Sequence, residues 1–266
     1  MNQADAARQA RNAAREARGR AAALAVATYD PSAAGGRAPD VAAMIDHTLL
    51  KPDSTAAQIR AVCDEAREYG FATVCVNAMW VGLCHTALAG SDVGITAVVG
   101  FPLGATTTDS KVFEARQAID AGADEIDMVI AVGAFKGGDE ETVRRDIEAV
   151  AEACHARGAL LKVILETVFL SDEEKGRASR LAVAAGADYV KTSTGFSGGG
   201  ATPSDVTLMR QAVGPAPGVK AAGGVKTFAD AQAMAHAGAT RIGASAGAKL
   251  VRELQGEQSA GPGAGY

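Results

Sequence analysis

The sequence predicts a (β/α)8 TIM barrel, an α/β fold, preceded by an N-terminal extension rich in Ala and Arg. Three observations support this prediction. From about residue 41, short runs of β-branched residues alternate eight times with amphipathic segments. A glycine closes five of the amphipathic segments just before the next run, as expected where a helix ends. The chain has 266 residues, a length that a single barrel of this kind fills.

The composition predicts a large aliphatic core and excludes some classes of function. Hydrophobic residues make up 48% of the chain and aromatic residues only 5%, so Ala, Val, Ile and Leu must build most of the interior. The net charge is −5 and the pI is near 5.4, which disfavours a basic nucleic-acid-binding surface. The four cysteines form no Cys-x-x-Cys pair and favour a reducing compartment. No apolar run approaches the ~20 residues that span a bilayer.

The two ends of the chain differ from the middle. Residues 1–40 contain six arginines and four acidic residues, and we assign them to an extension that is either helical, over about residues 4–27, or disordered. Residues 21–27 are too weakly hydrophobic to favour an export signal, so we expect a cytoplasmic protein. The barrel is expected over 41–256. Residues 257–266 are expected to be a flexible tail, for which disorder is favoured over a role for Tyr266 as a mobile cover of the site.

Within the barrel, each expected strand is followed by a segment that can form a helix. The strands are expected at 44–50, 72–76, 94–100, 125–130, 160–166, 189–193, 218–222 and 241–245. Capping boxes begin at Thr55 and Ser171, and Pro203 fits a first helical position. Val143 and Ile147 lie on one face of the helix expected after Gly138. A doubly wound open sheet is the alternative, but eight similar units favour a closed barrel.

Three consecutive strands each carry one lysine. Lys162, Lys191 and Lys220 follow one another at intervals of 29 residues, close to one strand–helix repeat. Neighbouring strands would therefore hold the three ammonium groups at similar heights inside the barrel. The alternative is that the lysines face outward between helices or extend to a rim. Their common spacing, together with Asp127 on a nearby strand, favours a functional cluster.

A crowded lysine can act as a nucleophile. A neutral amine attacks a carbonyl and forms a Schiff base, but at a pKa of about 10.4 only about one lysine in two thousand is neutral at pH 7. Lowering the pKa to about 7 requires about 4–5 kcal/mol. A second ammonium at about 6 Å would supply roughly 3 kcal/mol of this, and partial desolvation would supply the remainder.

Glycine-rich loops follow the last three expected strands. They contain Gly195, the pair Gly223 and Gly224, and the segment from Gly243 to Ser245. Glycines let backbone N–H groups approach an anion closely, and the loops after strands seven and eight of such barrels often bind phosphate. Each glycine pair alone is more typical of a turn, but the position of the loops favours a phosphate site.

Seven stretches of the chain resemble the deoxyribose-phosphate aldolase family, whose members are class I aldolases on a (β/α)8 barrel. The stretches are Ile45–Leu50, Val99–Gly104, Glu125–Val129, Leu161–Thr167, Val190–Phe196, Val219–Val225 and Arg241–Ser245. The resemblance implies reversible cleavage of 2-deoxy-D-ribose 5-phosphate to D-glyceraldehyde 3-phosphate and acetaldehyde. No metal and no organic cofactor are implied, and the enzyme would serve deoxyribonucleotide catabolism and carbohydrate degradation.

The same resemblance implies roles for individual residues. Lys191 would be the Schiff-base nucleophile, Lys220 its electropositive neighbour, and Asp127 a partner of Lys220 in proton transfer. Ala246 stands where some family members carry a serine, which removes one hydroxyl donor. The implied phosphate-binding residues are Gly195, Gly223, Gly224 and Ser245.

Several other residues are expected to have supporting or packing roles. Lys162 is expected to tune the local field or to hold a carboxylate such as Glu166. Asp46 and Thr48 are expected to orient polar neighbours, and Cys75 is expected to be a small buried hydrophobic residue. The expected partner is a small sugar phosphate, with no nucleic acid and no membrane. The protein is expected to be a homo-oligomer, for which the family suggests a dimer.

Two alternative functions remain open at this point. One is a Schiff-base aldolase that acts on a different pair of aldehydes. The other is a barrel that binds or senses a sugar phosphate and whose lysines are chemically silent.

Overall fold

Eight parallel strands close into a barrel, in which each strand pairs with its sequence neighbours and the last pairs with the first. The computed structural model describes residues 2–30 and 39–255. The strands are β1 (Ile45–Leu49), β2 (Thr73–Asn77), β3 (Gly94–Val99), β4 (Glu125–Val129), β5 (Leu160–Ile164), β6 (Tyr189–Lys191), β7 (Gly218–Ala222) and β8 (Arg241–Ala244). The predicted barrel is confirmed, and every strand boundary lies within two residues of its expected position. The open sheet is excluded by the pairing of β1 with β8.

Helices surround the barrel and connect its strands. They are α1 (Gln3–Thr28), α2 (Ala56–Tyr69), α3 (Val81–Ala87), α4 (Thr108–Asp120), α5 (Val132–Lys136), α6 (Glu140–His155), α7 (Asp172–Ala184), α8 (Pro203–Val213), α9 (Phe228–His236) and α10 (Gly247–Leu254). The capping boxes at Thr55 and Ser171 are formed, and Pro203 begins α8. The five glycines that follow helices have φ between 68° and 118°, a region that other residues resist. Among the described helices, none is both long and apolar enough to cross a membrane.

The apolar core lies between the strands and the surrounding helices. Val143 and Ile147 of α6 are buried there, as their spacing predicts. Successive residues of a strand point to opposite faces of the sheet, so every second residue points into the barrel. In β5 this alternation places Leu161 and Val163 in the apolar core and leaves Lys162 inside. The barrel interior therefore holds charged groups within an aliphatic shell.

Helix α1 lies across the end of the barrel where the strands begin. The Asn12 amide donates to the carbonyls of Asp124 and Gly158, at 3.0 and 3.1 Å. Asp124 directly precedes β4, and Gly158 lies two residues before β5. Near the other end of the helix, Arg20 donates to the carbonyl of Ala216, just before β7. The extension thus covers one end of the barrel. The expected tail 257–266, with Tyr266, lies outside the described residues.

Candidate active site

The three barrel lysines meet at one carboxylate inside the barrel. Lys162 Nζ lies 2.7 Å from Oδ1 of Asp127, while Lys191 Nζ and Lys220 Nζ lie 2.7 and 2.8 Å from its Oδ2. All four side chains are buried, and none is more than 3% exposed. The cluster predicted from the 29-residue spacing is therefore formed, and the outward-facing alternative is wrong.

Lys191 and Lys220 are direct neighbours. They lie opposite each other in the pairing of β6 with β7. Because both amines donate to the same oxygen of Asp127, their nitrogens cannot lie further apart than the sum of the two hydrogen-bond lengths. At such a separation in a buried site, the positive charge of one amine strongly disfavours the positive charge of the other.

More charged groups extend the cluster toward the start of the strands. Asp46 accepts from Lys220 at 2.5 Å and from Arg241 at 2.7 Å, which confirms that it orients polar neighbours. Glu125 lies 2.7 Å from Lys162 and 3.1 Å from Arg241. Neither Glu125 nor Arg241 was predicted from the sequence to belong to the site. Glu125 could have been predicted, because it lies two residues before Asp127 and so points to the same side of β4.

Thr48 does not share the role of Asp46. Its hydroxyl donates to the backbone carbonyl of Asp46 at 2.8 Å, and its side chain is half-buried. The hydroxyl therefore bonds to the main chain of its own strand, and in the described part of the chain it forms no hydrogen bond to a charged side chain of the cluster. Thr48 was expected to orient neighbouring polar groups, and the group that its hydroxyl contacts is this backbone carbonyl.

The surroundings act differently on the three lysines. Burial lowers the pKa of Lys191, the nearby Lys220 ammonium lowers it further, and the Asp127 carboxylate only partly opposes these effects. Burial also disfavours the Lys220 ammonium, but the carboxylates of Asp127 and Asp46 outweigh burial and raise its pKa. Carboxylates raise the pKa of Lys162 in the same way. Of the three lysines, only Lys191 is shifted toward the neutral amine.

The main cause of the lowered pKa of Lys191 in the structure differs from the main cause that the sequence predicted. That prediction assigned most of the effect to the second ammonium and the remainder to desolvation. In the structure, burial is the largest cause for Lys191, and the Lys220 charge is a smaller one that acts in the same direction. The reason is that β6 holds the amine wholly inside the barrel, where the Asp127 carboxylate cancels part of the repulsion.

Lys162 holds carboxylates, as expected, but they are those of Asp127 and Glu125, and the suggested example Glu166 was wrong. Lys162 lies within β5 and points into the barrel, whereas Glu166 follows the end of the strand at φ 55°. The buried Glu166 carboxylate accepts the backbone N–H of Thr194 at 3.1 Å, the Thr194 hydroxyl, and the hydroxyl of Ser197 at 3.0 Å. It therefore holds the loop that follows β6.

The predicted phosphate residues lie where β6, β7 and β8 end, the same end at which Lys191 terminates β6. Gly195, Gly223 and Gly224 have φ of 84°, 85° and 83°. A Cβ on Gly223 would lie 3.0 Å from the Cα of Gly200, whereas a Cβ on Gly195 or Gly224 would meet no atom within 4 Å. Ser245 is exposed just before the start of α10. The loops thus present open backbone beside a helix N-terminus, which suits an anion.

An apolar wall borders the lysine cluster. Cys75 is fully buried in a small group with Leu50 and Val98, against which Phe101 packs, and the ring of Phe196 meets that of Phe101 edge-on at 5.2 Å. Burial raises the pKa of the Cys75 thiol. Cys75 is therefore a neutral, apolar residue here, which confirms the prediction for it.

Comparison with known proteins identifies the family to which the chain belongs. Residues 41–253 match the model of the DeoC/LacD family aldolase. The deoxyribose-phosphate aldolase of Geobacillus sp. (strain WCH70) is 58% identical over 212 residues, which cover 80% of this chain and 95% of that protein. The enzyme of Listeria monocytogenes serotype 4a (strain HCC23) is 58% identical over 222 residues, or 84% of this chain and 98% of that protein.

Two solved structures are similar over most of the chain. A candidate deoxyribose-phosphate aldolase from Coccidioides immitis is 40% identical with a TM-score of 0.79, and the match covers 96% of this chain and 98% of that one. The tetrameric deoxyribose phosphate aldolase from Aeropyrum pernix is 33% identical with a TM-score of 0.74, over 81% of this chain and 91% of that one. On the family match and these identities, the chain belongs to the DeoC/LacD family of aldolases.

Proposed function

We propose that the protein catalyses the reversible aldol cleavage of 2-deoxy-D-ribose 5-phosphate to D-glyceraldehyde 3-phosphate and acetaldehyde. The observation that carries this proposal is the setting of Lys191. Among the described residues, its buried amine has one carboxylate partner, Asp127, whereas Lys162 and Lys220 each have at least two. Lys191 is therefore the lysine best placed to be a neutral nucleophile.

The first half of the reaction forms an imine. The neutral Lys191 amine attacks C1 of the open-chain sugar and gives a carbinolamine. Lys220, whose raised pKa keeps it protonated, donates a proton to the carbinolamine hydroxyl, which leaves as water. The products of this step are a protonated imine on Lys191 and a neutral Lys220 amine. Asp127 holds both amines in place through one oxygen.

The second half breaks a carbon–carbon bond. The neutral Lys220 amine takes the proton of the C3 hydroxyl, with Asp127 as the relay between the two lysines. The C2–C3 bond breaks, C3 becomes the aldehyde carbon of glyceraldehyde 3-phosphate, and the electron pair moves to the imine to form an enamine. Lys220 then protonates C2 of the enamine. Hydrolysis of the resulting imine releases acetaldehyde and returns both lysines to their initial states.

The substrate phosphate is proposed to bind at the loops after β6, β7 and β8. The open backbone at Gly195 and Gly224, the close packing at Gly223 and the exposed Ser245 support this location. Ala246 supplies no hydroxyl, so at that position only the backbone N–H at the start of α10 is available.

We also propose a setting for the enzyme. It acts on a small-molecule sugar phosphate in the cytoplasm, within deoxyribonucleotide catabolism and carbohydrate degradation, and it forms a homo-oligomer. The tetrameric relative from Aeropyrum pernix supports self-association. The exposed apolar side chains of Leu103 and Phe113 also support it, since large apolar patches often mark interfaces.

One experiment tests the activity against both alternatives. The wild-type protein is incubated with 2-deoxyribose 5-phosphate while both aldehydes are measured, and a parallel sample is reduced with borohydride in the presence of acetaldehyde. The proposal expects both products and a stable two-carbon adduct on the Lys191 peptide. Binding without an adduct would favour the sugar-phosphate sensor, and an adduct without cleavage of this sugar would favour an aldolase for other aldehydes.

Lys220→Leu is expected to move the acid limb of the kcat/KM profile up by about one pH unit and to lower kcat about 10²-fold. Without the Lys220 ammonium, Asp127 acts on Lys191 unopposed, the pKa of Lys191 rises, and the neutral amine appears only at higher pH. Lys220→Arg is the control, because it keeps the charge and should leave the limb near its wild-type position. An unchanged profile in Lys220→Leu with a wild-type rate would contradict the assignment.

Gly224→Asp is expected to raise KM for 2-deoxyribose 5-phosphate by about tenfold or more, because a carboxylate beside the bound phosphate repels it. Gly224→Asn is the matched control, since Asn has nearly the same shape and also tolerates the left-handed backbone of Gly224. The comparison substrate is unphosphorylated 2-deoxyribose, for which both variants should behave alike. Equal losses for the two substrates in Gly224→Asp would indicate misfolding and would argue against a phosphate site here.

A further inference from the structure

We propose that Arg15 of helix α1 is a positioning residue for the aldolase site and acts on the lysine cluster through Glu125. The inference rests on the proposed function and adds a group that the matched family region does not contain, since that region begins at residue 41.

The barrel is shaped to receive this helix. A Cβ on Gly94, the first residue of β3, would lie 2.5 Å from Cζ of Arg15. A Cβ on Gly158, just before β5, would lie 2.4 Å from the carbonyl oxygen of Asp5. Glycine at 158 is therefore required for α1 to lie where it does, and glycine at 94 leaves room for the Arg15 guanidinium. The helix and the start of the barrel fit as one packed unit.

Arg15 is held in a defined orientation beneath the cluster. Its side chain is buried, and its Nη1 donates to Oδ1 of Asn12 at 2.6 Å. The Asn12 amide is itself fixed by carbonyls of the barrel. The same Nη1 lies 3.6 Å from Oε1 of Glu125, which is fully buried. A buried guanidinium is costly without a compensating charge, and among the described residues Glu125 is the carboxylate that Arg15 contacts.

From Glu125 a continuous row of alternating charges leads to the nucleophile. Glu125 Oε2 lies 2.7 Å from Lys162 Nζ, and Lys162 Nζ lies 2.7 Å from Asp127 Oδ1. Asp127 Oδ2 lies 2.7 Å from Lys191 Nζ. Arg15 occupies the end of the row that lies opposite Lys191. All five groups are buried, so their charges are poorly screened by solvent.

The sign of the effect follows from the charges. Removing the Arg15 guanidinium takes away one positive charge and leaves Glu125 less compensated. Both changes favour the protonated form of Lys191, so its neutral form should appear at higher pH. Other titratable or charged groups near Lys191, Glu125 or Arg15 also influence how far the pKa of Lys191 shifts. They are Asp46 on β1, Cys75 on β2, Glu125 and Asp127 on β4, Lys162 on β5, Tyr189 on β6, Lys220 on β7, Arg241 on β8 and Glu16 on α1.

The test measures Lys191 directly and needs no turnover. The full-length wild type, Arg15→Met and Arg15→Gln are treated with formaldehyde and cyanoborohydride from pH 6 to pH 10, and the rate of reductive methylation of the Lys191 peptide is followed by mass spectrometry. The expected result is that the midpoint of the rate profile rises by about half a pH unit in both neutral variants. Arg15→Lys should restore most of the wild-type midpoint because it restores the charge.

Arg18→Gln is the matched control, since Arg18 lies on the same helix but is exposed and, among the described residues, donates to the carbonyl of Gly70 alone. Its midpoint should not move. A folded Arg15→Gln with the wild-type midpoint would overturn the inference, even if its melting temperature fell, because a purely structural role predicts lower stability without a shift. Cleavage assays on the wild type are run separately, and their failure would overturn the proposed function without bearing on the methylation result.

Discussion

Lys191→Ala is expected to abolish aldol cleavage, with kcat falling on the order of 10⁴-fold or more, because the variant has no amine able to form the imine. The neighbouring Lys220 and Lys162 cannot substitute, since their carboxylate partners raise their pKa values and hold them as ammonium ions. The measurement is the rate of glyceraldehyde 3-phosphate release, together with borohydride trapping of acetaldehyde. Neither product nor adduct is expected.

The control for this variant is Lys136→Ala. Lys136 is a surface residue of α5 that pairs with Glu174, and its loss should leave both readouts unchanged. The melting temperature of Lys191→Ala should stay close to that of the wild type, since the lost side chain is the most weakly paired of the three lysines. Normal turnover in Lys191→Ala, or an adduct that moves to Lys220, would show that the nucleophile has been assigned wrongly.

Asp127→Asn should have the second-largest effect and should act on both stability and rate. Three lysine amines donate to the Asp127 carboxylate, and removing one member of a buried ion pair typically costs about 3–5 kcal/mol. Urea unfolding should therefore show a loss of this size. Because the proton relay is lost, kcat should fall about 10³-fold.

The imine step should survive in Asp127→Asn. The Asp127 carboxylate raises the pKa of Lys191, so its removal favours the neutral amine, and borohydride trapping with acetaldehyde should persist while cleavage is lost. Asp120→Asn serves as the control, because Asp120 is an exposed carboxylate that pairs with Arg157. Wild-type cleavage in Asp127→Asn would refute the relay, and unchanged unfolding would refute the structural role.

The same carboxylate predicts an acid dependence of stability. Despite its burial, the ammonium groups around Asp127 hold its pKa well below the ordinary value. Its contribution to the free energy of unfolding is therefore complete above an unfolded-state pKa of about 3.9 and is lost as the pH falls toward the lowered folded-state pKa. In Asp127→Asn this part of the pH dependence should be missing, which unfolding curves below pH 5 can measure.

Much of the fold could be predicted because its signals are local. Each Gly that ends a helix, such as Gly70 or Gly158, adopts a positive φ that other residues resist, and strand runs follow such glycines directly. The common spacing of Lys162, Lys191 and Lys220 predicted that they meet inside the barrel; Lys191 and Lys220 lie side by side, whereas Lys162 pairs with Tyr189, two residues before Lys191, and still points to the same interior. These features depend on residues close together in the chain or on a regular repeat.

Partners of buried charges were harder to predict. Lys162 pairs with Asp127 and Glu125 rather than with Glu166, because Glu166 lies beyond the end of β5 and turns toward the next loop. The sequence also did not predict that Arg241 belongs to the charged cluster or that Arg15 lies beneath the barrel. Each of these contacts joins residues that are far apart in sequence, and no local pattern specifies which of several charges will meet.

The amino-acid sequence by itself determined the eightfold repeat, the lysine that each of three strands brings into the barrel, and the open glycine loops at one end. The closed barrel decided which charges face each other and how strongly water is excluded from them. These two properties decide which lysine can act as the nucleophile, because the tendency of Lys191 to lose its proton depends on burial and on the net charge within a few ångströms. Both are properties of the packed interior and not of any segment of the chain.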